Sequence, residues 1–271
     1  MIGKNLTDKL QPENGETKWL ALSCSHAPLQ DNETIDIICE RIKEYKPDVI
    51  IHLGDLFEAD SASKWGSEYS WTYEDELYEG CEMVLKKLRE ANTDAECWFL
   101  PGNHDENLRE EGRFDRKIRD SLDWNAPQYT TSGIWLNEEL KNWSIKTGYE
   151  DSRKGVTRIG AVSFCHGFRA NRNADVYHAK KYAWENGLMV SGHLHRPTIG
   201  NPRNAGMNDT DISYKWYLNA GCTRQMDCNY MLRKNQHSWG HAVCYGYSKN
   251  ITSSRTTHTW DAHCELIKMY E

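Results

Sequence analysis

Five short polar segments, each directly after an apolar run of strand length, constrain the fold of this chain most strongly. The last of them, residues 190–195, ends in His193 and His195 with one residue between them. Gly192 leaves room for a turn and Leu194 points away, so both imidazoles are expected to enter one small space. Imidazole is the commonest protein ligand for first-row divalent metals. The segment therefore predicts a metal site at the end of a strand.

The other four segments supply further groups that can converge on the same place. They contribute, in chain order, Cys24 and His26, then Asp55, then Asn103, His104 and Asp105, and finally His166. A single histidine is more often a packed core residue than a ligand. However, five of the eleven histidines in the chain fall at predicted strand ends, and chance does not explain that placement.

Hydrophobic periodicity predicts an α/β fold. Apolar runs predict strands at 18–23, 48–53, 96–100, 156–165 and just before His193, and a second sheet from 216–220, 241–247 and 257–267. Helical spacing predicts helices at 31–45, 74–90, 106–124 and 173–185. Aromatic residues between 58 and 78 have two interpretations, helix packing or a lid that stacks on a substrate. Strand–helix–strand units give parallel sheets, which bind ligands beyond the carboxyl ends of their strands.

Length and composition narrow the class of protein. A chain of 271 residues predicts one domain, 18–271, after an N-terminal arm at 1–17. The net charge of -7 argues against a nucleic-acid coat or a membrane-surface protein, although residues 166–255 carry 12 Lys and Arg against 5 Asp and Glu. Nine cysteines without a CxxC pair, no signal-peptide pattern and no membrane span predict a cytoplasmic protein with reduced thiols.

The order of the polar segments carries a resemblance to a known family. The segments are Cys24–Ser25–His26, Gly54–Asp55, Gly102–Asn103–His104–Asp105, His166–Gly167 and Gly192–His193–Leu194–His195. From residue 23 to 195 the chain resembles the calcineurin-like metallophosphoesterases, because its polar segments follow one another in the order of that family's sequence blocks. The resemblance implies a four-layer αββα sandwich of two mixed sheets flanked by helices. It also implies hydrolysis of a phosphoester by a hydroxide that bridges two divalent metal ions, Mn²⁺, Zn²⁺ or Fe.

The same resemblance implies a role for each candidate residue. One metal would be held by Cys24, His26, Asp55 and His195, and the other by Asp55, Asn103, His166 and His193, so that Asp55 bridges them. His104 would donate a proton to the leaving oxygen, and Asp105 would hold the other ring nitrogen of His104. The alternative for Asp105 is that it only caps the following helix. His52 is expected to be a packing residue or a support for a ligand.

Cys24 departs from the family pattern, which has Asp at this position. A thiolate is a softer ligand than a carboxylate, so it would favour zinc or iron over magnesium in the first site. The alternative is that Cys24 is a small buried thiol that touches no metal. The identity of the first metal therefore stays open.

Basic residues next to the histidines bear on the substrate. Arg169, Arg172 and Arg196 follow His166 and His195 closely, and Arg169 and Arg196 are the candidates that bind non-reacting phosphates. Gly54–Asp55 is not followed by Asp-Arg-Gly, which disfavours a phosphoprotein substrate and favours a phosphodiester, a nucleotide or a nucleic-acid end. Two alternatives remain: a DNA nuclease subunit that acts with a protein partner, and a binding module with weakened catalysis.

Overall fold

Two β-sheets form the centre of the fold. The structure, a computed structural model, describes residues 15–62, 69–111, 138–201, 215–226, 238–249 and 260–269. The strands in these ranges are β1 Glu16–Leu22, β2 Val49–His52, β3 Glu96–Phe99, β4 Ser144–Ile145, β5 Thr157–Ile159, β6 Val162–Cys165, β7 Leu188–Ser191, β8 Thr198–Gly200, β9 Trp216–Asn219, β10 Gly240–Lys249 and β11 Trp260–Met269.

Both sheets contain parallel and antiparallel strand pairs, and these pairings correct two predictions. The first sheet has the order β11-β10-β1-β2-β3-β4, and the second has the order β5-β6-β7-β9-β8. The predictions for 241–247 and 257–267 put these strands in the wrong sheet, because β10 pairs antiparallel with β1 and extends the first sheet. The single strand predicted at 156–165 is an antiparallel hairpin, since Gly160 has a positive φ and turns the chain between β5 and β6.

Helices lie along the connections between the strands. They are α1 Asn32–Tyr45, α2 Tyr73–Tyr78, a π-helix Glu79–Lys86, α3 Lys87–Ala91, α4 Asn103–Glu111, α5 Glu138–Lys141 and α6 Ala174–Tyr182. The Asp31 side chain accepts a hydrogen bond from the Thr34 N–H and caps α1 at its N-terminus. The predicted helix 106–124 begins three residues earlier, at Asn103, and its part beyond 111 lies outside the described residues.

Three apolar clusters separate the layers. Alternation along β1 shows the arrangement: Leu20 and Leu22 pack with the helices on one face, whereas Trp19 and Ala21 pack between the two sheets. A third cluster joins α6 to the outer face of the second sheet through contacts among Ala179, Tyr182, Cys165 and Met189. The layers therefore run helix, sheet, sheet, helix, and the predicted four-layer sandwich is confirmed.

Two smaller features complete the fold. The predicted arm lies outside the described residues up to position 14, while Glu16 and Thr17 already pair with β10. Among the aromatic residues, Tyr73 packs on the helix-side core, and Tyr69 stacks on Trp71 with ring centroids 4.1 Å apart; Trp65 lies outside the described residues. No helix in the described ranges is both long and apolar enough to cross a membrane.

Candidate metal centre

The five polar segments lie at the carboxyl ends of parallel strands in the two sheets. In the first sheet, β1, β2 and β3 lead to Cys24 and His26, to Asp55 and to Asn103; in the second sheet, β6 and β7 lead to His166 and to His193 and His195. Parallel strands bring their carboxyl ends to one edge of a sheet. The two sheets face each other, so all these side chains meet in one place.

The backbone at this place is in a costly conformation. Eight non-glycine residues in the described ranges have positive φ, and five of them are predicted metal ligands: Cys24, His26, Asp55, His193 and His195, with φ between 50° and 67°. A side chain in this left-handed region costs on the order of 1–3 kcal/mol, and such costs cluster at functional sites. The concentration of positive φ is therefore an observation, independent of residue type, that marks this place as a site.

Cys24, His26 and His195 form one group, which we call the cysteine half. The ligand atoms of these three residues all lie within 4.8 Å of one another. The two Nε2 atoms of His26 and His195 are 3.1 Å apart, and the Cys24 Sγ accepts a hydrogen bond of 3.2 Å from the His193 N–H. The three residues are buried.

Asn103, His166 and His193 form the second group, the asparagine half. The Nε2 atom of His166 lies 3.2 Å from Asn103 Oδ1 and 3.2 Å from His193 Nδ1. Asp55 is shared between the halves, because its Oδ2 atom is 3.1 Å from His166 Nε2 and 3.8 Å from His26 Nε2. These contacts bring the predicted ligands together, and the ligand atoms of Cys24, Asp55 and His166 also lie within 4.8 Å of one another, so the two groups adjoin at Cys24 and Asp55.

The donor atoms fit a pair of divalent cations. Two nitrogen ligands on one metal, each about 2.1 Å from it, lie about 3.0 to 3.4 Å apart, which is the spacing of the facing atoms in both halves. Neutral imidazole is the form that binds metal. Burial lowers the pKa of His26 and of His195 well below the ordinary value, and it lowers the pKa of His193 to about 4.

The two acidic groups of the site respond differently to burial. Burial alone would raise the pKa of Asp55, but His166, His104 and His26 hold it well below its ordinary value, so Asp55 is a carboxylate. Burial and the charge of Asp55 raise the pKa of the Cys24 thiol well above its ordinary value. A bound cation deprotonates a thiol that coordinates it. We therefore expect Cys24 to be a thiol in the metal-free protein and a thiolate only when a metal ion is bound next to it.

His104 lies beside the two halves, with its ring held by the backbone. Its Nδ1 donates to the Glu58 carbonyl at 2.5 Å, and its ring packs edge to face on His26 at 4.7 Å. Burial would lower the pKa of His104, but Asp55 and Glu58 raise it above the ordinary value. His104 is therefore suited to carry a proton next to the metal ligands.

Asp105 does not hold the His104 ring, and this expected role is wrong. The two carboxylate oxygens accept four backbone hydrogen bonds, of 2.7 to 3.2 Å, from the N–H groups of Asp55, Leu56, Phe57 and Gly102. Asp105 is the third residue of α4 and accepts from Gly102, which precedes the helix, so it is not the N-cap that the alternative expected. The other three bonds fix the loop that carries Asp55. Backbone N–H groups in three successive residues require a buried acceptor, and Asp105 supplies it.

Several residues that sequence reasoning missed support the ligands. The Glu58 Oε2 atom is 2.6 Å from His26 Nδ1 and 3.3 Å from Nη1 of the fully buried Arg224. Tyr149 lies beside His166, and Trp239 packs edge to face on His195 with ring centroids 4.4 Å apart. Only Glu58 had a sequence signal, since it is an acidic residue three positions after Asp55 in a strand-end loop.

His52 and the two arginines complete the comparison with the sequence. His52 supports the site: its Nε2 is 2.9 Å from Ser25 Oγ, and its Nδ1 accepts from the Gly54 N–H. Arg169 stacks on Tyr177, and the charge of Arg196 acts on Asp175. Neither arginine has a hydrogen bond or ion pair with a predicted metal ligand among the described residues, so their phosphate-binding role stays a prediction.

Comparison with known proteins gives a family and three distant structures. The calcineurin-like phosphoesterase family matches residues 17–241. Vacuolar Protein Sorting 29 from Cryptosporidium parvum is similar at 10% identity and a TM-score of 0.40, over 94% of this chain and 100% of that chain. Yfce, a phosphoesterase from E. coli, is similar at 12% identity and a TM-score of 0.40, over 85% and 87%. Vps29 from Chaetomium thermophilum is similar at 9% identity and a TM-score of 0.39, over 94% and 100%.

Curated proteins gave no match to the sequence. The match to the family, in contrast, spans most of the chain and includes every predicted metal ligand. The chain therefore belongs to the calcineurin-like phosphoesterase family.

Proposed function

We propose that this protein is a hydrolase of phosphoesters that uses two divalent metal ions, with a phosphodiester, a nucleotide or a nucleic-acid end as its substrate. The observation that carries the proposal is the convergence of seven donor residues into two groups that share Asp55, with facing donor atoms 3.1 to 3.2 Å apart in each half. Two cations bound there would supply an acidified water as the nucleophile and a clamp on the phosphoryl oxygens.

The residues of the chain have distinct roles in this proposal. Asp55 carries the negative charge between the two halves, which offsets the repulsion between two cations. His104 donates a proton to the leaving oxygen from its Nε2, because its Nδ1 is occupied by the Glu58 carbonyl. Arg169 and Arg196, which follow the two ligand segments, would bind phosphates that do not react.

Metal analysis followed by a substrate panel tests the proposal. The purified protein should hold two divalent ions per chain, and it should hydrolyse bis(p-nitrophenyl) phosphate and nucleotide phosphodiesters with added Mn²⁺ or Zn²⁺. A chelator should abolish turnover, and added metal should restore it. Full activity without bound or added metal would contradict the proposal.

The same panel separates the two alternative functions. Activity only on long DNA, with a steep loss as salt is raised, would indicate a nuclease that grips the phosphate backbone, with a partner adding to that grip. Two bound metals without turnover on any phosphoester would indicate a binding module. The position of Asn103 beside His166 and of His104 beside His26 favours the hydrolase over the binding module.

A further inference from the structure

We infer that Glu58 and Arg224 are positioning residues of the metal centre: Glu58 sets the ring orientation of both His26 and His104, and Arg224 holds Glu58 in place. The inference rests on the proposed function, because it concerns one proposed metal ligand and the proposed proton donor. It adds a role for two residues outside the ligand set.

Glu58 contacts the two histidines with different groups. Its carboxylate oxygen Oε2 is 2.6 Å from His26 Nδ1, and its backbone carbonyl accepts from His104 Nδ1 at 2.5 Å. An imidazole that donates from Nδ1 keeps the lone pair or the labile proton at Nε2. One residue therefore selects the nitrogen that His26 turns to a metal and the nitrogen that His104 turns to a leaving group.

Arg224 is a buried charge that contacts this carboxylate. Its side chain is fully buried, and its Nη1 lies 3.3 Å from Glu58 Oε2. An arginine stays protonated in proteins, so a buried one requires a compensating anion. The guanidinium thereby restrains the same carboxylate oxygen that contacts His26.

The backbone of Arg224 is itself fixed against the loop that carries the cysteine half. Its carbonyl accepts from His241 Nε2 at 2.6 Å. The preceding residue, Thr223, donates its N–H to the Cys24 carbonyl at 3.2 Å and lies 2.8 Å from Ser25 Oγ through its hydroxyl. The segment at 221–224 thus joins the Cys24–His26 loop to the Glu58 loop, and a side chain fixed at both ends can hold a ring orientation.

A second acid–arginine pair, in which Glu139 is buried and Arg89 is half-buried, provides a control. Arg89 donates to Glu139 with two hydrogen bonds, of 2.6 and 2.7 Å, and this pair joins α3 to α5 without contacting a histidine. Loss of the Arg89–Glu139 pair should lower the free energy of unfolding and leave metal binding unchanged. The two pairs therefore separate a positioning role from a purely structural one.

The test removes both charges of a pair, because removing one would leave the other buried without the opposite charge of this pair. The variants are Glu58→Met with Arg224→Met, the control Glu139→Met with Arg89→Met, and Glu58→Gln with Arg224→Met. The last keeps an amide oxygen that can accept from His26. Each variant is measured by nitrogen NMR of the metal-free protein with labelled histidine, which reports the ring tautomers, and by titration with cobalt(II) alone.

In the unmodified protein, the neutral rings of His26 and His104 should both carry their proton on Nδ1. The double Met variant should lose this preference at His26 only, because His104 is bound by the backbone, and cobalt affinity at one of the two sites should fall by about 10- to 100-fold. The Gln variant should recover most of both losses, and the control should show neither.

An unchanged His26 tautomer and unchanged cobalt binding in the folded double Met variant would overturn the inference. If that variant does not fold, Arg224→Lys replaces it, since lysine keeps the charge but not the planar contact; cobalt binding equal to that of the unmodified protein would then overturn it. Failure of the unmodified protein to bind cobalt would refute the proposed metal centre instead, and the NMR of the metal-free protein would still decide the role of Glu58.

Discussion

The two halves of the metal centre differ in what surrounds their ligands. In the cysteine half, Cys24, His26 and His195 are 0%, 1% and 6% exposed, whereas Asn103 and His193 in the asparagine half are half-buried. The cysteine half also contains sulfur and nitrogen donors, and the asparagine half contains oxygen and nitrogen donors. A buried site with a thiol suits a softer metal, and a more open site with an amide oxygen suits a harder one.

The two halves are also supported in different ways. His26 is held by the side chain of Glu58, whereas His166 Nδ1 donates to the backbone carbonyl of Leu53 at 2.7 Å. A side-chain support can be changed by mutation or by evolution, but a backbone carbonyl is supplied by any residue. We therefore expect that the metal preference can be tuned in the cysteine half, and that a substrate would approach through the asparagine half.

The largest expected effect comes from removing one ligand from each half. His195→Ala and His166→Ala should each reduce the metal content from two ions to one per chain, and phosphodiester hydrolysis should fall to background in both, because both cations are needed for the clamp. Metal analysis with an activity assay checks this. The halves would have to be treated as one site if either variant lost both ions, and the comparison would fail if either kept two.

The second effect separates metal binding from proton donation. His104→Ala should keep both ions but lose turnover by about 10²- to 10⁴-fold, which is the usual contribution of a positioned proton donor. His104 contacts the centre through Asp55, Glu58 and the edge of His26. Metal content and kcat measured on the same preparation check the prediction, and a loss of metal from this variant would show that His104 supports the cysteine half instead.

A smaller effect tests the thiol of the cysteine half. Cys24→Asp should move the metal preference of that half from zinc toward manganese, and Cys24→Ser should weaken zinc binding there, by about 10-fold or more in affinity for each. Competition titrations with the two metals check this. The asparagine half serves as the internal control, because its affinities should not change. If both variants bind both metals as the unmodified protein does, Cys24 is a buried thiol and not a ligand.

The fold class and the convergence of the candidate ligands could be predicted from the sequence because both depend on local patterns, whereas the assignment of these residues as ligands stays a prediction. Each ligand directly follows an apolar strand, and the strand order brings the ends together. The sheet that contains β10 and β11 could not be predicted, since β10 pairs with β1 across more than 200 residues of chain. Alternating apolar residues show that a strand has one buried face, but they do not select its neighbour.

The contacts of the supporting residues could not be predicted from the sequence for a related reason. Arg224 and Glu58 are 166 positions apart, and only the fold brings them into contact. The role of Asp105 was predicted wrongly because its neighbour in sequence, His104, suggested a side-chain pair, whereas the unpaired N–H groups of the Asp55 loop determine its contacts. Every residue except proline has a backbone N–H group, so the sequence does not show which N–H groups need a side-chain acceptor. A carboxylate that accepts from such groups therefore cannot be distinguished in the sequence from a catalytic carboxylate.

The smallest expected effect would show which half lies closer to the part of the substrate that does not react. Arg169 follows the asparagine half and Arg196 follows the cysteine half, so Arg169→Ala and Arg196→Ala form a matched pair. Arg169 is 45% exposed, with its guanidinium stacked on Tyr177 3.5 Å from the ring centre and 3.9 Å from Asp151.

If substrate approaches through the asparagine half, Arg169→Ala should raise KM for a nucleotide diester by about 10-fold, the effect of losing one hydrogen bond to a charged group, and Arg196→Ala should raise it less. Bis(p-nitrophenyl) phosphate has no second phosphate, so its KM should not change in either variant. Steady-state kinetics on both substrates measure the difference. A larger effect from Arg196→Ala would place the substrate on the cysteine half, and equal effects on the two substrates would make both arginines structural.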